Sequence, residues 1–256
     1  MSPPRMSADT QQLRAKSIDA ILGLWAQELG INVPELMAQS DGVTLTANSQ
    51  LPGVFLWRRD KDLRIAAQFQ KLERIHGAII GHSFEKILRP EFWFRIPEYC
   101  GEAVGPALVY YLDALPADWK SMTPRGLLVR TLTNLDIQAF EEFADALTET
   151  ERQQSALEFG PRPMWGVFKG THLLAVASYD PWPGRIAHLG VAVHPEHRGQ
   201  KIGQLAARAA SRGAISRRLV VQYRTLSDNS ASVGIAKSLH LVPYAETLYL
   251  RPPARS

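Results

Sequence analysis

The chain has 256 residues, 45% hydrophobic and 21% charged, with a formal net charge of +4. That length can bury one large core or two small ones, and the charge is too mild for a nucleic-acid-binding surface. The single cysteine, Cys100, excludes an intrachain disulfide and a cysteine-rich zinc site.

Residues 1–16 lack an apolar targeting core and read as a flexible N-terminus. With no apolar run long enough to span a membrane, the expected location is the cytoplasm. Ser17–Leu29 carries Ile18, Ile21, Leu22, Leu24 and Trp25 at helical spacing, and Gly30 is its stop. Val43–Thr46 and Val54–Arg58 read as strands around the turn-like QLPG. Ala66–Ile75 and Ser83–Leu88 read as helices, Phe92–Ile96 and Ala107–Leu112 as strands. The proline-punctuated stretch Leu115–Gly126 is the best linker. It divides the chain into an N-terminal α/β domain, 17–124, and a C-terminal domain, 125–256.

Beyond the linker, Leu127–Leu132 reads as a strand and Asp136 as the N-cap of a helix carrying Ile137, Phe140, Phe143 and Leu147. Glu149–Phe159 reads as a second helix. Three strands follow, Trp165–Phe168, Leu173–Tyr179 and Ile186–Val193, with Gly170 and Gly184 supplying turn geometry. Helix Ile202–Ser211, strand Leu219–Tyr223, helix Ala231–Leu239 and strand Thr247–Leu250 complete the domain. The fold class is mixed α/β.

IAHLGVAVHPEHRGQKIGQ, residues 186–204, places a buried strand, a turn and a basic glycine-containing loop ahead of a helix. The backbone N–H groups from Arg198 to Gly203 would lack intrahelical partners, and the helix dipole adds positive charge at the same place. Arg198 and Lys201 add full charges. Gly199 and Gly203 lack a Cβ, so backbone can approach a phosphate closely. A phosphate-bearing ligand at the end of a strand is the expectation.

RGQKIG, residues 198–203, resembles the pyrophosphate loop of the GNAT superfamily of N-acetyltransferases, Arg/Gln-x-x-Gly-x-Gly/Ala, with Lys201 at the usual middle glycine. VAVHPEHRG resembles the entry to that loop, and DNSASVGIAKSLHL, residues 228–241, resembles the second cofactor segment, with His240 and Leu241 in place of Gly-Phe. The order of strands and helices agrees with the GNAT fold. VVQYRTLSDNSASVGIAKSLHLVPYAETL further resembles a bacterial subgroup with an extra N-terminal domain, here a smaller α/β domain that could be a degenerate copy of the same fold.

The resemblance implies acyl transfer from acetyl-CoA or another acyl-CoA to an amine of a small molecule. The Arg198–Gln204 backbone (Arg198, Gly199, Gln200, Lys201, Ile202, Gly203, Gln204) would hold the pyrophosphate. Lys201 would add a charge contact, provided its backbone need not take φ > 0. Pantetheine would extend the sheet along Leu189, Val191 and Val193, where the superfamily's strand splays from its neighbour. A backbone N–H near Val191 would polarise the thioester carbonyl. Asn229 and Ser232 match positions that contact pantetheine, and capping of the last helix is an equal reading for them.

Many relatives carry an acid Tyr in the last helix, and that position is Ala236 here. Tyr223 and Tyr244, the latter in the loop after that helix, are the substitute candidates for the acid. His188 is the candidate base, on the opposite side of the strand from Val191 and Val193. Glu196 ranks below it, and a water chain without a dedicated base is an alternative. His172, His188, His194 and His197 lack a zinc pattern and a matching carboxylate, so no metal is expected. Two other functions stay open: an acyltransferase whose donor is a phosphopantetheine thioester on an acyl carrier protein, and a CoA-binding sensor without turnover. Neither a nucleic-acid nor a membrane partner is implied, and the acceptor and oligomeric state are not legible.

Overall fold

The computed structural model describes residues 13–38, 40–96, 101–117, 119, 123–155 and 157–252. Cys100, most of residues 1–16 and part of the expected linker lie outside the described residues. The chain forms two compact units. The first contains Tyr111–Tyr223 and Ser230–Val242; the second contains Ala15–Tyr110, Arg224–Asn229 and the chain from Pro243 onward.

In the second unit, helix α1 (Ala15–Leu29) buries Ile21, Leu22, Leu24, Trp25 and Leu29. It ends at Gly30, where φ is +73° and a Cβ would press on the Asn48 side chain. Helix α2 (Val33–Met37) is held by a capping box: Asn32 Oδ1 accepts from Glu35 N–H and Glu35 Oε2 accepts from Asn32 N–H. Strands β1 (Gly42–Ala47), β2 (Val54–Arg59) and β3 (Asp62–Ala67) follow. The two strands expected around QLPG are not partners. β1 pairs in parallel with β3, and β2 pairs antiparallel with β3 across a turn in which Asp60 takes φ +54°.

β3 also corrects the expected helix at Ala66. Every residue of β3 is buried and both its edges are hydrogen-bonded, so Ala66 and Ala67 are strand residues despite their helix propensity. Helix α3 (Phe69–Ile79) starts after them. Helix α4 (Phe84–Ile87) is capped by Ser83. Helix α5 (Pro90–Trp93) replaces the strand expected over 92–96, because Pro90 suits a first helical turn and the Trp93 indole N–H donates to Ile87 O at 2.6 Å. Strand β4 (Ala103–Leu112) follows, and strand β10 (Val242–Leu250) pairs antiparallel with β2, Leu248 opposite Leu56. Leu56, Ile65, Ile75, Ile87, Trp93 and Leu248 form the core of this unit. Each such side chain contributes roughly 1.5–3 kcal/mol by leaving water.

In the first unit, strands β5 (Leu128–Thr131), β6 (Met164–Lys169), β7 (His172–Trp182) and β8 (Ile186–Val193) form an antiparallel run, and β9 (Val220–Leu226) joins β8 in parallel. Helices α6 (Ile137–Asp145) and α7 (Glu149–Ser155) precede β6. Phe140 and Phe143 of α6 pack with Met164, Phe168, Leu173, Val176 and Ala192. Asp136 does not cap α6 forward as expected. Its carboxylate takes both Arg130 guanidinium N–H groups, at 2.7 and 2.6 Å, and the N–H and hydroxyl of Thr133. Arg130 holds that carboxyl far below the usual range.

Helix α8 (Ile202–Ser216) turns Ala206, Ala207, Ala210 and Ala214 inward, all fully buried. Small residues let the helix approach closely: a Cβ on Gly213 would strike the Trp165 ring. Helix α9 (Ser230–Ser238) follows β9. Ala236, where relatives carry Tyr, is fully buried in it, so a larger side chain has no room there without repacking.

Candidate active site

β8 keeps its full antiparallel register with β7, from Trp182↔Ile186 to Ala175↔Val193. Its parallel register with β9 covers only Ile186↔Val220, Ala187↔Val221 and His188↔Gln222. From Leu189 to Val193 that edge of β8 has no strand partner among the described residues, which leaves backbone groups available to an extended, amide-bearing ligand. The side chains of Val191 and Val193 serve packing. A Cβ built on Gly203 would lie 2.8 Å from Val193 Cγ2, 3.8 Å from Val191 Cγ1 and 3.3 Å from Ile235 Cδ1.

The loop after β8 turns through a 3₁₀ turn, Pro195–His197, closed by Arg198 N–H donating to Pro195 O at 3.4 Å. Gly199 takes φ +74° with open space around it. Gln200 Nε2–H donates to Glu196 O at 3.4 Å and braces the turn. Gln204 N–H is used by Lys201 O at 3.1 Å. The amides without a backbone acceptor among the described residues therefore narrow to residues 199–203, directly ahead of the 15-residue helix α8. Their N–H groups and the helix dipole make this an anion site.

Three details correct the sequence-based expectation for this loop. Lys201 does take a left-handed backbone, φ +61° and ψ 12°, where a glycine is usual in the resembled motif, so the loop keeps the glycine conformation at a steric cost. Gly203 has a packing reason of its own, since a Cβ there would press α8 against β8 and α9. The Arg198 guanidinium is paired, 2.7 Å from Glu151 Oε1 on α7. The Glu151 carboxyl is held below its ordinary pKa first by the Thr148 N–H, with Arg198 a lesser cause.

His188 sits on the other face of β8. Its Nδ1 is 3.0 Å from Gln222 Oε1, and Gln222 Nε2–H donates to Tyr111 Oη at 2.7 Å. The imidazole stacks on Trp182, centroids 4.5 Å apart and 17° from parallel. With the amide oxygen as acceptor, Nδ1 carries the proton and the lone pair is on Nε2, the form a general base needs. Gln222 is fully buried and holds the ring through this contact. The sequence-based reading missed Gln222, Tyr111 and Trp182. The signal for Gln222 was a polar residue inside the apolar run of β9.

Tyr223 is 4% exposed and alternates with Gln222, so its side chain lies on the opposite face of β9. Tyr244 is on β10 rather than in a loop, and belongs to the second unit. Its ring lies under the Arg59 guanidinium, 4.6 Å from the centroid, and its hydroxyl accepts from Arg59 Nη1 at 3.4 Å. Burial raises its pKa, so the phenol stays protonated at neutral pH. Asn229 falls in the second unit and Ser232, in the first turn of α9, in the first. Glu196 is exposed, and its N–H donates to His194 Nδ1 at 3.4 Å. The turn also brings its carboxylate toward two histidines: donor atoms of His194, Glu196 and His197 lie within 4.8 Å of one another, a carboxylate the spacing argument had not granted. Three donors fall short of the four protein ligands of a closed structural zinc site. Among the described residues no helix is long and apolar enough to cross a membrane.

Residues 129–240 match the acetyltransferase (GNAT) family. No curated protein matches the chain. Among solved structures, a GCN5-related N-acetyltransferase from Kribbella flavida is 17% identical, with a TM-score of 0.45 and coverage of 60% of each chain. A GNAT-family acetyltransferase from Colwellia psychrerythraea is 17% identical, with a TM-score of 0.44 and coverage of 59% of this chain and 57% of that one. A tandem GNAT protein of the clavulanic acid biosynthesis pathway is 17% identical, with a TM-score of 0.39 and coverage of 60% and 55%. The chain thus spans 55–60% of the length of these structures.

Proposed function

From the match of residues 129–240 to the acetyltransferase (GNAT) family, we propose that this chain transfers an acyl group, most simply acetyl, from acyl-CoA to the amine of a small molecule. The observation that carries the reading is the parting of β8 from β9 beyond His188, next to a loop whose amides 199–203 have no backbone acceptor among the described residues. The amides of residues 199–203 would bind the pyrophosphate. The free edge from Leu189 to Val193 would align the pantetheine amides, and a backbone N–H near Val191 would stabilise the oxyanion as the amine attacks the thioester carbonyl. Asn229 and Ser232 remain proposed pantetheine contacts.

His188 is proposed as the base. The Tyr111–Gln222–His188 chain of contacts holds its ring in place. For the acid that protonates the thiolate, Tyr223 and Tyr244 remain the proposed candidates, with Glu196 below them.

The test is a titration of the full chain with acetyl-CoA and CoA at two salt concentrations. Saturable, salt-sensitive binding is expected, and it should weaken at least tenfold in Gly199→Asp. That substitution adds a negative charge where a Cβ meets nothing within 4 Å, and Asp tolerates φ > 0 better than most residues. Binding that ignores Gly199→Asp would sink the loop assignment. Binding of an acyl carrier protein but not of CoA would favour the carrier donor, and CoA binding without turnover over an amine panel would favour the sensor.

A further inference from the structure

The second unit contains a cavity of about 600 Å³, within the size range of small-molecule sites. The α4–α5 segment lines it with Lys86, Arg89, Glu91, Phe92 and Arg95, and the turn after β9 adds Asp228. Pro106 and Leu226 also border it, tied by Ser227 N–H donating to Pro106 O at 3.1 Å. The frame is firm, because Trp93 and Ile87 are fully buried and hydrogen-bonded to each other.

Other arginines of this unit are engaged. Arg58 meets Glu85 and Glu246, Arg64 meets Asp62, Arg251 meets Glu102, and Arg59 covers Tyr244. Arg89 and Arg95 have no carboxylate in ion-pair contact among the described residues, and Lys86 Nζ lies 3.2 Å from the His82 ring nitrogen. Unpaired guanidinium groups beside a cavity suit a phosphate or carboxylate, which they bind through two parallel N–H donors. Glu91 and Asp228 on the same cavity disfavour a polyanion and match an ammonium group. Phe92, edge-on to Trp93 and His82, offers an apolar wall to a short carbon skeleton.

We propose that this cavity binds a small amine that also carries a phosphate or carboxylate, the anionic end at Lys86, Arg89 and Arg95 and the ammonium end at Glu91 and Asp228. The cavity lies wholly in the second unit and includes none of residues 198–204, so the proposal does not depend on pyrophosphate binding at the glycine loop.

Calorimetric titration of the full chain without CoA tests it. The probes are O-phosphoethanolamine and 4-aminobutyrate, against ethyl phosphate and butyrate, which lack the amine. At least one aminated probe should bind saturably, about tenfold or more tighter than its amine-free analogue, and the better of the two identifies phosphate or carboxylate as the anion. Arg89→Ala with Arg95→Ala should weaken it at least tenfold, with Arg95→Gln alone as a milder check at an exposed position. Asp228→Asn should shrink the preference for the amine, and Gly199→Asp should leave binding unchanged. No saturable binding of either aminated probe, indifference to the amine, indifference to the arginine variants, or loss of binding in Gly199→Asp would each overturn the proposal.

Discussion

The two units present positive charge by different means. In the first, the candidate anion site is made of backbone: amides 199–203 ahead of α8, with Arg198 already paired to Glu151. In the second, it is made of side chains, Lys86, Arg89 and Arg95, that the α4–α5 segment brings to a cavity. A backbone site is fixed by a few dihedral angles and can be written into six consecutive residues. A side-chain site depends on how separate segments pack, and no short motif encodes it.

The units also stabilise buried charge differently, and the largest expected effect tests that. Arg64 and Asp62 on β3 are 3.0 Å apart with side chains 4% and 3% exposed, and the Arg64 guanidinium also donates to Leu36 O and Ala38 O. Arg64→Ala would strand the Asp62 carboxylate, and urea unfolding should report a loss of about 3–5 kcal/mol. The counterpart in the first unit, Asp136 with Arg130, has its arginine 38% exposed, so water can take over part of the interaction. Asp136→Asn should cost less, about 2 kcal/mol.

The Asp136 pair also carries a pH signature. Its folded pKa is depressed, so its stabilisation is present above the unfolded carboxylate range and lost as pH falls below it. Acid unfolding of the wild type should steepen below about pH 4, and Asp136→Asn should remove that part of the slope. An unchanged acid limb would show that other carboxylates dominate.

Smaller effects sharpen the backbone side of the comparison. Lys201→Gly relieves a left-handed side-chain-bearing residue and should raise stability by about 1 kcal/mol, read as a higher melting temperature. If the Lys201 ammonium touches the ligand, the same variant binds CoA more weakly while being more stable, which separates charge from conformation. Glu151→Gln frees Arg198 and should tighten CoA by about threefold at low salt, an effect that shrinks as salt screens it. The smallest expected change is in the pH–rate profile of Gln222→Leu, where the limb assigned to His188 should move with little loss of CoA binding.

By itself, the sequence determined what is local. The amphipathic spacing of α1, the glycines that end helices and turn strands, and the strand–loop–helix order from Ile186 to Ser216 are near-neighbour properties, and the last of these lies within residues 129–240, which match the GNAT family. Only the tertiary structure decided what depends on distant partners. β3 is a strand because β1 and β2 hold it on both sides, against the helix propensity of its alanines. His188 gains a side-chain partner in Gln222, 34 residues away, and Gln222 is anchored by Tyr111, 111 residues away. Arg198 is withdrawn from the loop by Glu151, and the cavity of the second unit joins residues 86–95 to residues 226–228. Local dihedral preferences and periodicity reach only a turn or two along the chain, whereas charge pairing, buried hydrogen bonds and cavities are set by whichever residues packing brings face to face.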